Sequence, residues 1–477
     1  MRALKHLAVP LLAFGLLVAA LVVVVSRRPA GDAERPRATF ERKTRAHLDH
    51  AAYFKEPFAD GPSVTRACLS CHKDAAHQVM QTAHWSWLGD EVRRPGQAPV
   101  RVGKRNLVNN FCIGIQGNWP SCTKCHSGYG WKDDGFDFTQ GQNVDCLVCH
   151  DWSGQYTKGA AGFPEASVDL LASARSVGYP KRQNCSVCHS YGGGGLGVKH
   201  GDLDNSLENP AEDIDVHMGR EQFLCIDCHK AESHRVPGRS FAVSVQSQGG
   251  IGCVDCHREY KHADTRVEQH TTSVACQTCH IPTYARKVPT KQTWDWSQAG
   301  DAARPDDAHH YLKIKGEFTY EQDVRPEYAW FKGEVDRYLL GDRVADSGPT
   351  HLNRPRGSMA DPQARIWPMK VHRGKQPFDE EYRRIIVPVT AGTPGERGYW
   401  KEFDWKKAAE LGAKHTGLPF SGRMGFVETE MVWPLSHMVA PKSQALTCTD
   451  CHGPTGQMNF RALGYSGDPI RVGGRRP

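Results

Sequence analysis

The sequence predicts a mainly α-helical fold with long loops and little strand, organised around something other than an ordinary apolar core. Three observations predict it. Of 17 cysteines in 477 residues, 16 fall into eight C-x-x-C-H units. Apolar content is low for this length, with 39% hydrophobic residues and a mean hydropathy of −0.56. Glycine (47) and proline (29) are frequent enough to break the chain into short helices and loops.

The units, numbered one to eight along the chain, begin at Cys68, Cys122, Cys146, Cys185, Cys225, Cys253, Cys276 and Cys448. Their second cysteines are Cys71, Cys125, Cys149, Cys188, Cys228, Cys256, Cys279 and Cys451. One helical turn puts positions i, i+3 and i+4 on one face. Two thiols can then form thioethers to a haem while the adjoining imidazole ligates its iron, the pattern of c-type attachment. A zinc knuckle or a redox dithiol would explain the cysteine pairs. Neither explains a histidine after every pair, when histidine is only 24 of the 477 residues. The reading is therefore eight covalently bound haem c groups with His72, His126, His150, His189, His229, His257, His280 and His452 as iron ligands. Eight large flat hydrophobes would supply the missing apolar area. The apoprotein should be largely unfolded, since haem binding then supplies folding free energy.

Along the chain, residues 1–30 read as a signal-anchor or transmembrane helix. Residues 7–25 are apolar throughout and basic residues flank them, a run closer to a bilayer span than to a cleaved signal. Residues 31–62 read as a polar tether, 63–463 as the octahaem cytochrome domain, and 464–477 as a disordered tail. Within the domain, residues 281–447 contain no motif yet precede the eighth, so they must fold back over the haem core. They hold seven of the 12 tryptophans. Residues 399–415 have helical spacing with Gly412 as an end signal. IIVPVT at 385–390 is a strand candidate that its proline demotes. Haem attachment implies export, so the expected location is the periplasm, anchored to the inner membrane by the N-terminal helix. The formal charge of +7 falls close to zero once haem irons and propionates are counted. With no basic run interleaved with aromatics, no nucleic-acid partner is expected.

The sixth ligands decide whether such a protein only carries electrons or also reacts. Two strong axial ligands suit electron transfer, and an open or weakly held position admits substrate. Seven histidines outside the motifs stand in suitable places: His84, His200, His217, His234, His262, His270 and His437, with His47, His50 and His77 as competitors. Neutral imidazole is the commonest metal ligand, but the sequence does not pair rings with irons. Seven candidates leave one iron short. From the residues alone Lys158 reads as a solvated lysine, and Cys112, the cysteine outside the motifs, as either a small buried hydrophobe or a reactive thiolate.

The strings NNFCIGIQGNWPSCTKCHSGYGW, NVDCLVCHDWSGQYTKG, GVKHGDLDNSL, DVHM, CQTCHIP, KVHRGKQP and WPLSHMVAP go well beyond the motif. Over roughly residues 65–460 the chain resembles the octahaem tetrathionate reductase family of c-type cytochromes. The resemblance implies a lysine as distal ligand of the second haem and imidazoles on the other seven. Lys158 stands in the stretch that matches that lysine. Cys112 matches a free cysteine beside the same haem, with Asn109 as a weaker neighbour. The implied activity is two-electron cleavage of tetrathionate to thiosulfate, with nitrite and hydroxylamine as further substrates. The implied partners are a small inorganic anion and a membrane or periplasmic electron-donor cytochrome. A structural calcium is left open. The alternatives are a non-catalytic multihaem conduit and a nitrogen enzyme like hydroxylamine oxidoreductase.

Overall fold

A computed structural model of the protein describes residues 47–89, 91–93, 98–238, 250–393 and 395–475. The anchor expected over residues 1–30 lies outside them. Among the described residues no helix is long and apolar enough to cross a membrane. Cys253–Glu259 belong to a separate small unit, in which Cys253–Asp255 form a single 3-10 turn and His257 N–H donates to Cys253 O at 2.9 Å. All other described residues form the larger unit.

The motifs of the larger unit sit on short helices, as the spacing requires. Examples are Gly61–Leu69, Leu147–His150, Arg182–His189 and Cys276–His280. Helices this short are not stable alone. Caps help some of them: Asp60 accepts from Ser63 N–H ahead of the first motif, and Asp227 accepts from Leu224 N–H across the fifth. The turn is closed by the histidine N–H donating to the first cysteine's carbonyl, at 2.9 Å for His72, 3.1 Å for His150, 2.8 Å for His229 and 2.9 Å for His452. The second motif differs. His126 N–H donates to Thr123 O at 2.9 Å, and the backbone turns extended at His126.

The expectation of a mainly α fold with little strand fails over residues 290–434. These form an eight-stranded mixed sheet: β1 Thr290–Asp295, β2 Tyr311–Leu312, β3 Gly316–Glu321, β4 Glu327–Phe331, β5 Thr350–His351, β6 Arg365–Asp379, β7 Arg384–Ile385 and β8 Met424–Pro434. The order is β2-β3-β1-β6-β8-β5, with β4 and β7 also pairing on β6. β6 and β8 run antiparallel from Met369↔Pro434 to Asp379↔Met424, whereas β1 lies parallel to β6. The core on this sheet holds Trp294, Trp296, Phe318, Met431 and Trp433, and it extends to Val108, Phe111 and Ile113. Aromatic side chains of this size dominate core energetics. Here they fix the 108–113 loop, and with it Cys112, against the sheet.

Other expectations are adjusted in the same region. The helix of 399–415 is two pieces, Tyr399–Glu402 and Trp405–Thr416, and the second ends at Gly417 (φ 68°), not at Gly412. Gly412 is buried inside that helix, where a Cβ would collide with Val387 O. IIVPVT pairs as a strand only at Ile385, and afterwards its backbone bonds irregularly, Ile386 N–H to Pro377 O and Thr390 N–H to Gly117 O. The tail is not disordered over 464–475. Asp468 accepts from His452 Nδ1 at 2.6 Å, Arg475 reaches Ala364 O at 2.8 Å, and Tyr465 is buried against Trp330. Residues 47–62, read as tether, belong to the larger unit.

Candidate haem sites and reaction centre

Two imidazoles trans to one iron, with bonds of about 2 Å, place their ring centroids roughly 6.3 Å apart. Six motif histidines meet another histidine at this separation. The pairs are His72–His50 at 6.2 Å, His150–His234 at 6.3 Å, His189–His84 at 6.2 Å, His229–His437 at 6.4 Å, His280–His262 at 6.5 Å and His452–His270 at 6.2 Å. Partners lying so far apart in sequence would not meet at one repeated distance without a common guest. The residues therefore fit haem at the first, third, fourth, fifth, seventh and eighth sites. Five of the expected distal histidines face a motif histidine in this way, and His50 joins them. His200 does not. Its ring lies edge-on to Trp433 at 5.0 Å, and its Nε2 is buried without a hydrogen-bond partner. His217 stands 3.9 Å from Asp215 Oδ1 and beside Phe223.

Outer groups orient several of these rings, as is usual for metal-binding imidazoles. Gly178 O takes His150 Nδ1 at 2.8 Å, Pro237 O takes His229 Nδ1 at 2.7 Å, and Glu268 takes His262 Nδ1 at 3.0 Å. Thiols of different motifs also come together. Cys68 meets Cys146, Cys125 meets Cys188, and Cys185 meets Cys225. The first site thus adjoins the third, the fourth adjoins the second, and the fifth adjoins the fourth.

The second site stands apart. His126 is wholly buried, and the rings around it are Trp85 (4.9 Å), Trp131 (4.9 Å), Phe136 (5.4 Å), Trp87 (5.7 Å) and Phe138 (6.1 Å), with no imidazole among them. Its Nε2 lies 2.7 Å from Trp85 O and its Nδ1 is buried without a partner. Burial pulls this imidazole down to about 3, so it is neutral at any physiological pH, as a metal ligand must be. A cavity of about 170 Å³ borders the site, lined by Arg105, Gln116, Trp119, Trp131, Phe138 and His415.

Lys158, the ligand implied by the resemblance, is buried but already engaged. Its ammonium lies 2.7 Å from Asp145 Oδ2 and donates to His126 O at 2.5 Å and Gly128 O at 3.4 Å. A lysine nitrogen engaged by a carboxylate and two carbonyls spends its donors there and is not presented to an iron. Lys199 has the opposite character. Among the described residues its amine has no hydrogen bond or ion pair, only the face of Trp433 at 5.5 Å. Burial, aided by Lys104, pulls it down to about 7, against the pull of Cys125 and Cys188. Gly193 separates it from Cys112: a Cβ there would lie 3.2 Å from Lys199 Cβ, and the Cys112 thiol reaches Gly193 O at 3.5 Å.

Cys112 is held from below by Asn109, whose Oδ1 accepts from Phe111 N–H at 3.1 Å and Cys112 N–H at 3.0 Å. Asn109 therefore shapes the loop and does not present its amide oxygen to a ligand. Burial pushes the Cys112 thiol up, while Lys315, Lys291 and Lys104 pull it back. Lys291 is buried under Trp294 (3.6 Å) and Phe318 (3.7 Å), and burial lowers its amine to about 6. Lys124, inside the motif, is exposed. The sequence reading singled out Cys112 but not Lys199. The signal was present, since Lys199 sits in GVKHGDLDNSL beside a histidine that drew the attention.

The family described as bacterial cytochrome c matches residues 291–455. An uncharacterized protein of Archaeoglobus fulgidus is 24% identical over 273 residues, covering 46% of this chain and 90% of that protein. The crystal structure of octaheme cytochrome c from Shewanella oneidensis superposes with a TM-score of 0.83 at 43% identity, covering 89% of this chain and 98% of that one. Eight attachment motifs, six facing imidazole pairs and that identity over nearly the whole length lead to one conclusion: the chain belongs to the octahaem cytochromes c.

Proposed function

We propose that this protein is a periplasmic octahaem reductase that delivers electrons to a small oxidised anion at the second haem site, with tetrathionate as the expected substrate. The observation that carries this reading is His126. It is the motif histidine of the larger unit that meets aromatic rings where six others meet an imidazole. A site without a second strong ligand is where substrate chemistry is expected.

Haem c supplies one-electron chemistry and an iron position at this site when bound. The chain's own residues supply the rest. Lys199 is our candidate for the sixth ligand, in place of Lys158: its amine is unpaired and holds its proton weakly enough to lose it near neutral pH. Lys104 and Lys315 act on Cys112 from around the same space, a field that draws in a dianion, and Lys291 joins it only once pH falls to about 6. The Cys112 thiol, kept protonated by burial, lies beside Gly193 where a sulfur substrate would approach. Tetrathionate accepts two electrons into its central S–S bond and leaves as two thiosulfates. The fourth site adjoins the second and the fifth adjoins the fourth, so haems held there would pass those electrons singly from a donor cytochrome. The same positive field also suits nitrite, and hydroxylamine is small enough to share the site.

The test is turnover of tetrathionate, nitrite and hydroxylamine by the purified holoprotein, together with the spectrum of its oxidised form. One haem should differ from the rest, and Lys199→Met should alter the signal of that haem alone and cut tetrathionate turnover at least tenfold. Cys112→Ser should slow tetrathionate more than nitrite. Eight alike low-spin haems with no turnover of any substrate would make the protein an electron conduit.

A further inference from the structure

Lys158 remains, a buried cation with no part in that chemistry. We infer that Lys158 and Asp145 form a fixed dipole between the second and third haem sites, which raises the reduction potential of the second relative to the third, so that electrons collect where substrate is reduced. This rests on the second site being the reaction centre.

The two charged groups lie 2.7 Å apart, and neither side chain is more than 2% exposed. The ammonium is fastened to the backbone of the second motif, whereas the aspartate reaches into the third and is also tied to the segment after His126, its N–H donating to Ser127 O at 2.9 Å. The ammonium donates to His126 O and Gly128 O, the backbone that carries the second site's imidazole. Gly162, with φ +80°, lies against the same backbone: a Cβ there would collide with Gly128 O. Asp145 directly precedes Cys146, and its Oδ1 accepts from Val148 N–H at 3.1 Å, inside the third motif. Tyr129 and Tyr156 each donate a hydroxyl to that Oδ1 at 2.9 Å. Burial pushes both phenols well up, followed by the repulsion of Asp145, so they stay protonated and keep donating. Three donors therefore converge on Oδ1, while the Lys158 ammonium faces Oδ2.

A buried ion pair is weak evidence for stability, because desolvation consumes most of the attraction. Its orientation is what distinguishes this one. A fixed positive charge beside an iron favours the reduced state and a negative charge disfavours it, and both effects are large where water is excluded. With the cation on the second motif and the anion on the third, the two contributions act in the same sense for transfer from third to second.

The experiment is a potentiometric titration of the holoprotein, followed at the spectroscopic signal of the unlike haem. Lys158→Met should lower the potential of that haem, Asp145→Asn should raise it, and Lys158→Arg should leave it near the wild-type value. The signal's shape should persist in all three. Asp145→Asn retains an oxygen for both tyrosines, so it carries the test if Lys158→Met does not fold. Shifts of one sign in both variants, or no shift in either, would overturn the dipole. Loss of the unlike signal in Lys158→Met would make Lys158 the iron ligand and overturn it as well. A wild-type spectrum with no unlike haem overturns the reaction-centre reading instead. The opposed shifts are then read in the whole-protein titration curve, where their absence overturns the dipole.

Discussion

Two residues show how far single side chains govern this molecule. His50 faces His72 at the separation an intervening iron requires, whereas His200 faces Trp433. His50→Ala should convert one haem to a high-spin form visible in the optical spectrum, and His200→Ala should leave the low-spin count unchanged. Asp379 closes β6. Its carboxylate accepts from the N–H groups of Glu381 (3.0 Å), Tyr382 (2.8 Å) and Ser421 (2.7 Å) and from the Ser421 hydroxyl (3.0 Å). Burial pushes this carboxyl up, but the Ser421 and Tyr382 N–H groups outweigh it and hold it below its ordinary value of 3.8. A depressed carboxyl contributes stability that is complete above the unfolded value and is lost as pH falls through the folded one. Denaturation followed below pH 4 should therefore show Asp379→Asn less acid-sensitive than the wild type. At pH 7, Asp379→Ala should cost about 1–2 kcal/mol by removing the acceptor these part-buried donors share.

Among elements, the short motif helices were legible because everything that defines them lies within five residues. The sheet was not. β6 reads RIWPMKVHRGKQPFD, with two prolines and four basic residues besides its histidine, and no rule of local preference marks it as a strand. Its pairing makes it one, through eleven registered partners on β8 that lie 45 to 65 residues further along. Buried polar residues on β6 also have nonlocal reasons. Lys370 donates to Lys199 O at 3.3 Å and Gln376 to Asn109 O at 2.8 Å, so the strand reaches the segments that carry Lys199 and Cys112. The helix Trp405–Thr416 shows the same limit. Gly412 looked like punctuation but permits close approach to the Val387 backbone. Gly412→Ala should destabilise the protein by about 2 kcal/mol through overpacking, measured as a lowered thermal midpoint with haem content unchanged.

For the whole molecule, the number of haem attachment motifs could be read from the sequence, but which histidines face one another could not. His84 stands 105 residues before His189, and His437 stands 208 residues after His229. Nothing local records such distances, and a resemblance points only to the neighbourhood of a ligand. That is how Lys158 came to stand where Lys199 fits better. The tail taught the reverse lesson, since a polar, glycine-bearing end docks through Asp468 and Arg475 onto groups that the fold alone brings near.

The His229–His437 pair carries one more implication. A polypeptide threaded through a translocon N-terminus first presents His84 well before His189, so the fourth iron can be capped as soon as its own segment emerges. The fifth must wait until almost the entire chain has crossed, and β1 through β8 are delivered in the interval. Maturation should therefore pass through a late species with one incompletely capped haem, whose closure marks the arrival of the finished sheet.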